Sequence, residues 1–334
     1  MRIRMIAFCL GLAVTPGLAL TAHAQYDVTV LQDPTGATVT VPRGINASGQ
    51  SVGWSQIGSQ PNPTGYAAVL WSPSGKATVL QDVGRQGYSY AFAINDAGQS
   101  VGFSGFPVRW SPSGKVTLLQ RGFGEAFAIN DAGQSVGYSG YNAVLWSPSG
   151  KATVLQERAG QGSSLASAIN GSGWSVGFSE TATGTEAVLW SSSGKATVLK
   201  DAGRQGYSEA VAINDAGQSV GYSFTASGQE AVLWSRSGRA IVLQDVGGEG
   251  YSNAVAINDA GQSVGYSKAA APSTRCYGRR RGSRRCFRMR VVTISTKPPP
   301  STPPGGASDF PRPRAGPRPC CGRRRARRQT SAPC

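Results

Sequence analysis

Seven glutamates are the residues from which an acid–base pair could be drawn: Glu125, Glu157, Glu180, Glu186, Glu209, Glu230 and Glu249. Glycoside hydrolysis needs two carboxyl groups facing each other at a set distance, one as acid and one as base or nucleophile. Glu186 and Glu230 fall at the same place in successive units of a repeat, the pattern of repeat decoration rather than of one unique pair. Glu157 and Glu180 are less repeated, yet nothing beside them sets them apart.

Nucleophilic and metal chemistry have fewer supports. The only histidine, His23, lies in an N-terminal leader, Cys9 lies there too, and the other cysteines are Cys276, Cys286, Cys320, Cys321 and Cys334 near the C-terminus. Residues 25–267 therefore hold no Ser-His or Cys-His pair, no ordinary zinc site and no disulfide, and no catalytic, metal or cofactor-binding residue is assigned. Rows of asparagine and aspartate invite calcium, but they lack the D-x-D-x-D-G spacing and a distal bidentate Glu. Side chains that close their own turns explain them better. A row of tryptophans resembles a sugar-stacking ladder, but each ends an apolar strand and reads as core.

Those rows belong to a phrase close to Ala-Ile-Asn-Asp-Ala-Gly-Gln-Ser-Val-Gly-Tyr-Ser. Its asparagines are Asn46, Asn95, Asn130, Asn170, Asn214 and Asn258. A partner phrase ends in Trp71, Trp110, Trp146, Trp190 and Trp234, at spacings of 39, 36, 44 and 44 residues. A period near 40 marks stacked units, none of which buries its apolar face alone.

Residues 186–223 show one unit, with four apolar runs of strand length: Ala187–Trp190, Ala196–Leu199, Ala210–Asn214 and Ser219–Tyr222. Trp-Ser-Pro-Ser-Gly is a type I turn signal, and Asn-Asp-Ala-Gly-Gln fits a tight hairpin ending on a left-handed glycine. Only Asp201–Ser208 is a longer connection. Three tight turns and one crossover describe a four-stranded antiparallel blade, with the Ala-rich run innermost and Lys-Ala-Thr-Val-Leu outermost. The fold class is all-β, a β-propeller-like repeat, with a β-solenoid as the alternative. Three hairpins vary in length, Gln56–Tyr66, Glu180–Thr185 and Phe224–Gln229, and are read as surface loops.

The alternation of a Leu-Trp strand with Ile-Asn-x-x-Gly-x-Ser-Val-Gly resembles the HAF family of extracellular bacterial repeats over residues 26–267. The triplet that names that family is altered. Its His position holds Ala67, Asn142, Glu186 and Glu230, and its Phe position Val69, Val144, Val188 and Val232. The second unit departs further, with Phe106-Pro107-Val108-Arg109 before Trp110. The resemblance implies secretion and repeat architecture, and carries no catalytic residue across.

The ends of the chain read differently. Residues 1–24 form a secretory signal: Arg2 and Arg4, an apolar run from Met5 to Leu20, and Ala22-His23-Ala24 before Gln25. The net charge of +16 belongs to residues 268–334, with 18 Lys and Arg against Asp309 alone, while the repeat domain 25–267 carries −3. That domain holds about six units of 35–49 residues, the last one incomplete.

The basic tail reads as repeat in the wrong frame. Codons for Arg275–Gly282, regrouped one base earlier, can spell Ala-Val-Leu-Trp-Ser-Pro-Ser-Gly. Those for Pro319–Ala326 can spell the same phrase. The steps from Trp234 to Gly278 to Gly322 are then 44 and 44, the native spacing. Ser283–Val291 continue the phrase as Lys, Ser or Pro, Thr, Val, Leu, Gln, Asp, Ala and Gly, the outer strand and the start of the crossover, while residues 294–318 do not decode cleanly. Read so, the arginine runs and cysteines are by-products of frame, and the tail is expected to be disordered rather than a phosphate- or membrane-binding element.

Together these readings give a secreted, periplasmic or extracellular scaffold, monomeric, binding an extracellular or cell-envelope partner such as a glycan. No catalysis, cofactor, specific nucleic acid or transmembrane segment is expected after signal cleavage. Two alternatives stand: a secreted polysaccharide hydrolase or lyase on a propeller, and the degenerate product of a frame-disrupted gene.

Overall fold

A computed structural model describes residues 28–36, 39–58, 64–83, 87–156, 162–203, 205–245, 248–269 and 288–295. The expected signal, Glu157 and most of the basic tail lie outside them.

All regular elements among the described residues are strands, in antiparallel blades that each run outward from an inner strand. Blade 1 is β1 (Thr40–Ile45), β2 (Ser51–Ile57), β3 (Gly65–Trp71) and β4 (Ala77–Val79). Blade 2 is β5 (Ser89–Ile94), β6 (Ser100–Ser104), β7 (Pro107–Trp110) and β8 (Val116–Leu118). Blade 3 is β9 (Gly124–Ile129), β10 (Ser135–Ser139), β11 (Asn142–Trp146) and β12 (Ala152–Val154). Blade 4 is β13 (Ser164–Ile169), β14 (Ser175–Thr181), β15 (Gly184–Trp190) and β16 (Ala196–Val198). Blade 5 is β17 (Ser208–Ile213), β18 (Ser219–Thr225), β19 (Gly228–Trp234) and β20 (Ala240–Val242). Blade 6 has β21 (Gly248–Ile257), β22 (Gln262–Ala269) and β23 (Arg288–Ser295). The inner strands surround one channel, lined by Ile-Asn pairs from all six units. The arrangement is a β-propeller, not a linear solenoid.

Local chemistry sets each hairpin. In blade 5, Gly217 N donates to Asn214 O and Gly217 sits at φ +77°, the left-handed geometry that the Asn-Asp-Ala-Gly phrase needs. The glycine of Ser-Val-Gly-Tyr-Ser has a different reason. A Cβ on Gly221 would meet Glu209 O at 2.0 Å, because the inner strand bulges toward it between Ala210 and Ala212.

The core lies between blades. Val176, Ala187, Leu189 and Leu199 of blade 4 pack on Ala210, Val232 and Trp234 of blade 5. Trp71, Trp110, Trp146, Trp190 and Trp234 are fully buried, confirming the core reading of that row. Burying one such ring contributes on the order of 4–6 kcal/mol of apolar transfer. The indoles of blades 2 to 5 are also held by the segment after the outer strand of the preceding blade, as when Trp190 Nε1 donates to Gln156 O at 2.9 Å. In the divergent second unit, Arg109 replaces the usual leucine and donates to Pro148 O of blade 3 at 2.7 Å.

Two expectations change. The segments Glu180–Thr185 and Phe224–Gln229 are not loops but strand extensions, paired as far as Thr181↔Gly184 and Thr225↔Gly228. Backbone pairing wins because the next crossover supports the extension, with Thr185 N donating to Gly206 O at 2.9 Å. In Gln56–Tyr66, Gln56 pairs with Tyr66 and Ile57 with Gly65, extending the strands here too. In addition, order reaches into the basic tail, where β23 runs antiparallel to β22.

Candidate functional site: the two ends of the channel

Each inner strand ends in Ile-Asn at one mouth of the channel, around a cavity of about 420 Å³. Asn130 shows the wiring. Its Oδ1 accepts from Gln134 N at 2.9 Å, closing its own turn as expected. Its Nδ2 also donates to Asn170 O of the next blade at 3.0 Å. The same relay joins Asn46 to Asn95, Asn95 to Asn130, Asn170 to Asn214 and Asn214 to Asn258. The aspartates act across blades rather than within their own turns. Asp96 Oδ1 accepts from Ala47 N, Asp131 from Asp96 N, Asp215 from Gly171 N and Asp259 from Asp215 N. Exposed carboxylates thus rim this mouth, each tied to a backbone amide. No group of His, Cys, Asp or Glu among the described residues is arranged to hold a metal ion.

The opposite end is aromatic. Seven residues before the repeat asparagine stands Tyr88, Phe123, Tyr207 or Tyr251, exposed by 42, 70, 42 and 37%. Three of these rings pack on the aromatic of the second strand in their own blade. Phe123 meets Tyr138 at 5.6 Å, Tyr207 meets Tyr222 at 6.2 Å and Tyr251 meets Tyr266 at 6.2 Å between centroids. Across blades 1 to 3 the rings are continuous: Trp54 on Tyr66 at 4.9 Å, Tyr66 on Tyr90 at 5.5 Å, Tyr90 on Phe92 at 6.3 Å and Phe92 on Phe127 at 5.6 Å. The paired hairpins bring Thr181, Thr185, Thr225 and Gln229 to the same end. This platform was not singled out from the sequence. Its signal is the Gly-Tyr-Ser of Gly87–Ser89, Gly206–Ser208 and Gly250–Ser252, just ahead of the Ala-rich strand.

The candidate carboxylates are spread around the ring. Glu125 and Glu209 are the second residues of β9 and β17, with Leu165 at that register in the blade between them. Glu186 and Glu230 also share a register, opposite Ser179 and Ser223. Glu180 is held below the usual carboxylate range by its hydrogen bonds from Ser163. Burial pushes Glu125 up, and the tyrosines beside it, Tyr90 and Tyr138, are raised first by burial and then by neighbouring charge. Tyr222 is raised strongly by burial and by donating to Glu209 at 2.8 Å.

No family model and no curated protein matches this sequence. Similar solved structures include virginiamycin B lyase from Staphylococcus aureus, at 13% identity and TM-score 0.47, covering 80% of this chain and 88% of that one. Another is TolB from Acinetobacter baumannii, at 12% identity and TM-score 0.37, covering 60% of this chain and 52% of that one. A prolyl endopeptidase shows 16% identity and TM-score 0.45 over 68% of this chain and 39% of its own. The chain thus spans about half of TolB. The propeller rests on the strand pairing itself. No helix among the described residues is long and apolar enough to cross a membrane.

Proposed function

We propose that this is an exported propeller scaffold, of the HAF type its repeat phrase resembles, that binds a glycan of the cell envelope or its surroundings without turning it over. The observation that carries this reading is the aromatic end of the channel. Tyr88, Phe123, Tyr207 and Tyr251 stand half-exposed on rings that fix them, beside hairpins bearing Thr and Gln. Sugars present apolar C–H faces and a rim of hydroxyls, and rigid aromatics flanked by hydrogen-bonding groups match both. Export rests on the 1–24 leader, and the charge of −3 over residues 25–267 argues against phosphate binding by the repeat domain.

The test is retention of the chain lacking residues 1–24 on insoluble polysaccharides and envelope fractions, with soluble fragments measured in parallel. Retention without release is expected, and loss of retention in a Tyr207→Ala, Tyr251→Ala variant. No retention on any surface would leave only the degenerate-product reading.

One observation favours an enzyme instead. Glu125 lies beside Tyr90 and Tyr138 with its carboxyl raised by burial, as a general acid requires. Release of fragments, abolished by Glu125→Gln and not by Glu209→Gln, would replace the binding reading with a hydrolase or lyase.

A further inference from the structure

The ring stops short after blade 6. Asn258 Nδ2 keeps Gln262 Oε1 of its own turn, and the relay that runs from Asn46 through five links ends there. The valine that each second strand turns toward the next blade is fully buried at Val52, Val101, Val136, Val176 and Val220. At Val264 of blade 6 it is 38% exposed. On the far side of the opening, Ile45 is 71% exposed where Ile94 is 9%. Two faces that elsewhere cover one another are open here.

The N-terminal segment shows what belongs between them. In blades 2, 4 and 5 the buried Trp donates to the segment following the preceding outer strand, at Gln81 O, Gln156 O and Lys200 O. The amides of Gln81, Gln156 and Lys200 in turn donate to Gly114, Gly194 and Gly238. Gln32 repeats both contacts with blade 1, accepting from Trp71 Nε1 at 2.7 Å and donating to Gly75 O at 2.8 Å. Ser55 Oγ donates to Asp33, as Ser104 does to Asp82 and Ser223 to Asp201. Val28–Asp33 is therefore placed as the outer strand of a blade that precedes blade 1 around the ring. Yet Val28–Val30 belong to none of the described sheets, and Val28 and Val30 are 89 and 73% exposed.

We propose that the opening between blade 6 and Val28–Asp33 is the docking position of a seventh blade. Its occupant is a three-stranded unit of the chain's own repeat, and Val28–Gln32 is its outer strand. Such a unit supplies an Asn to accept from Asn258 and donate to Asn46 O, an apolar face for Val264, and a Leu-Trp strand to pair with Val28–Val30. The frame-shifted reading of the tail supplies the Leu-Trp strand of such a unit at the native spacing. The phrase at 275–282 with the outer strand at 284–286 completes blade 6, and the phrase at 319–326 is the third strand of the next blade. In the written frame residues 268–334 do not spell that unit. The edges left open are of the kind that recruit another strand.

The probe is a synthetic peptide of residues 208–234, the first three strands of blade 5, added to the chain lacking residues 1–24. One peptide per chain is expected in sedimentation velocity, with new hydrogen-exchange protection at Val28–Gln32. Val264→Asp is expected to weaken binding at least about tenfold by placing a charge against the apolar face. Val154→Asp, on the exposed outer strand of blade 3, leaves it unchanged. A chain whose coding sequence is shifted by one base beyond codon 268 is expected to take up no peptide, its opening being filled. Failure of the original chain to bind, equal binding in Val264→Asp, or equal uptake by the frame-restored chain would each overturn the seventh-blade docking position.

Discussion

Replacing Asn130 with Ala removes one link of the relay. Its carboxamide is 6% exposed and takes part in three hydrogen bonds: from Gln134 N, to Gln134 Oε1 and to Asn170 O. At about 0.5–1.5 kcal/mol net for each, the loss is about 2–4 kcal/mol, with Asn170 O keeping only Gly173 N of its own turn as a donor. Asn258→Ala is the matched control. It removes the same two turn bonds but no link to a following blade, at an exposed position, and should cost about 1 kcal/mol. Urea unfolding followed by tryptophan fluorescence reports both variants, since the buried indoles lie between blades. For a domain of this size the difference corresponds to several degrees in Tm. Equal destabilisation by the two variants would refute the relay as a source of inter-blade stability, and with it the account of where the ring ends.

Other outcomes follow from the same structure. Trp190→Ala should destabilise by about 3–5 kcal/mol, measured as a fall in the urea midpoint, because it empties a fully buried site and leaves Gln156 O without its donor. Glu125 has its carboxyl raised by burial, so the fold favours the neutral form; its contribution is fully present below the ordinary carboxylate range and is lost as pH rises through the raised value. Glu125→Gln should therefore match the parent in acid and melt higher at pH 7, and a constant difference across a pH series of Tm would refute this. Sequencing the coding DNA and translating it one base out of frame beyond codon 268 should yield at least two further Leu-Trp-Ser-Pro-Ser-Gly phrases; stop codons or unrelated residues there would restore the basic tail as an element in its own right.

The blade could be read in advance because its signals are local. Pro-Ser-Gly and Asp-Ala-Gly each dictate a turn within a few residues, and the period fixes which strand follows which. The candidate site was hidden for the opposite reason. Tyr66 and Tyr90 meet only after two blades pack, and although Tyr88, Phe123, Tyr207 and Tyr251 each stand seven residues before the repeat asparagine, that spacing does not tell an exposed ring from one buried as core. The aspartate row was misplaced for a related reason: Asp215 is bonded by Gly171 of the blade before it, a partner 44 residues away. Hairpin length was overread, since Thr-Ala-Thr-Gly looks like a loop until the crossover at Gly206 supports its strands.

The proposal that the aromatic end of the channel, and not the carboxylate-rimmed mouth, is the binding face requires the two ends to respond differently to substitution. It is tested most directly by binding curves on one retained polysaccharide for three proteins: the parent, a Tyr207→Ala, Tyr251→Ala variant, and an Asp131→Asn, Asp215→Asn variant. Removing two stacking rings at about 1 kcal/mol each should weaken binding by roughly 10- to 100-fold, while the mouth variant should follow the parent curve. Loss of binding in the mouth variant with full binding in the ring variant would contradict the claim.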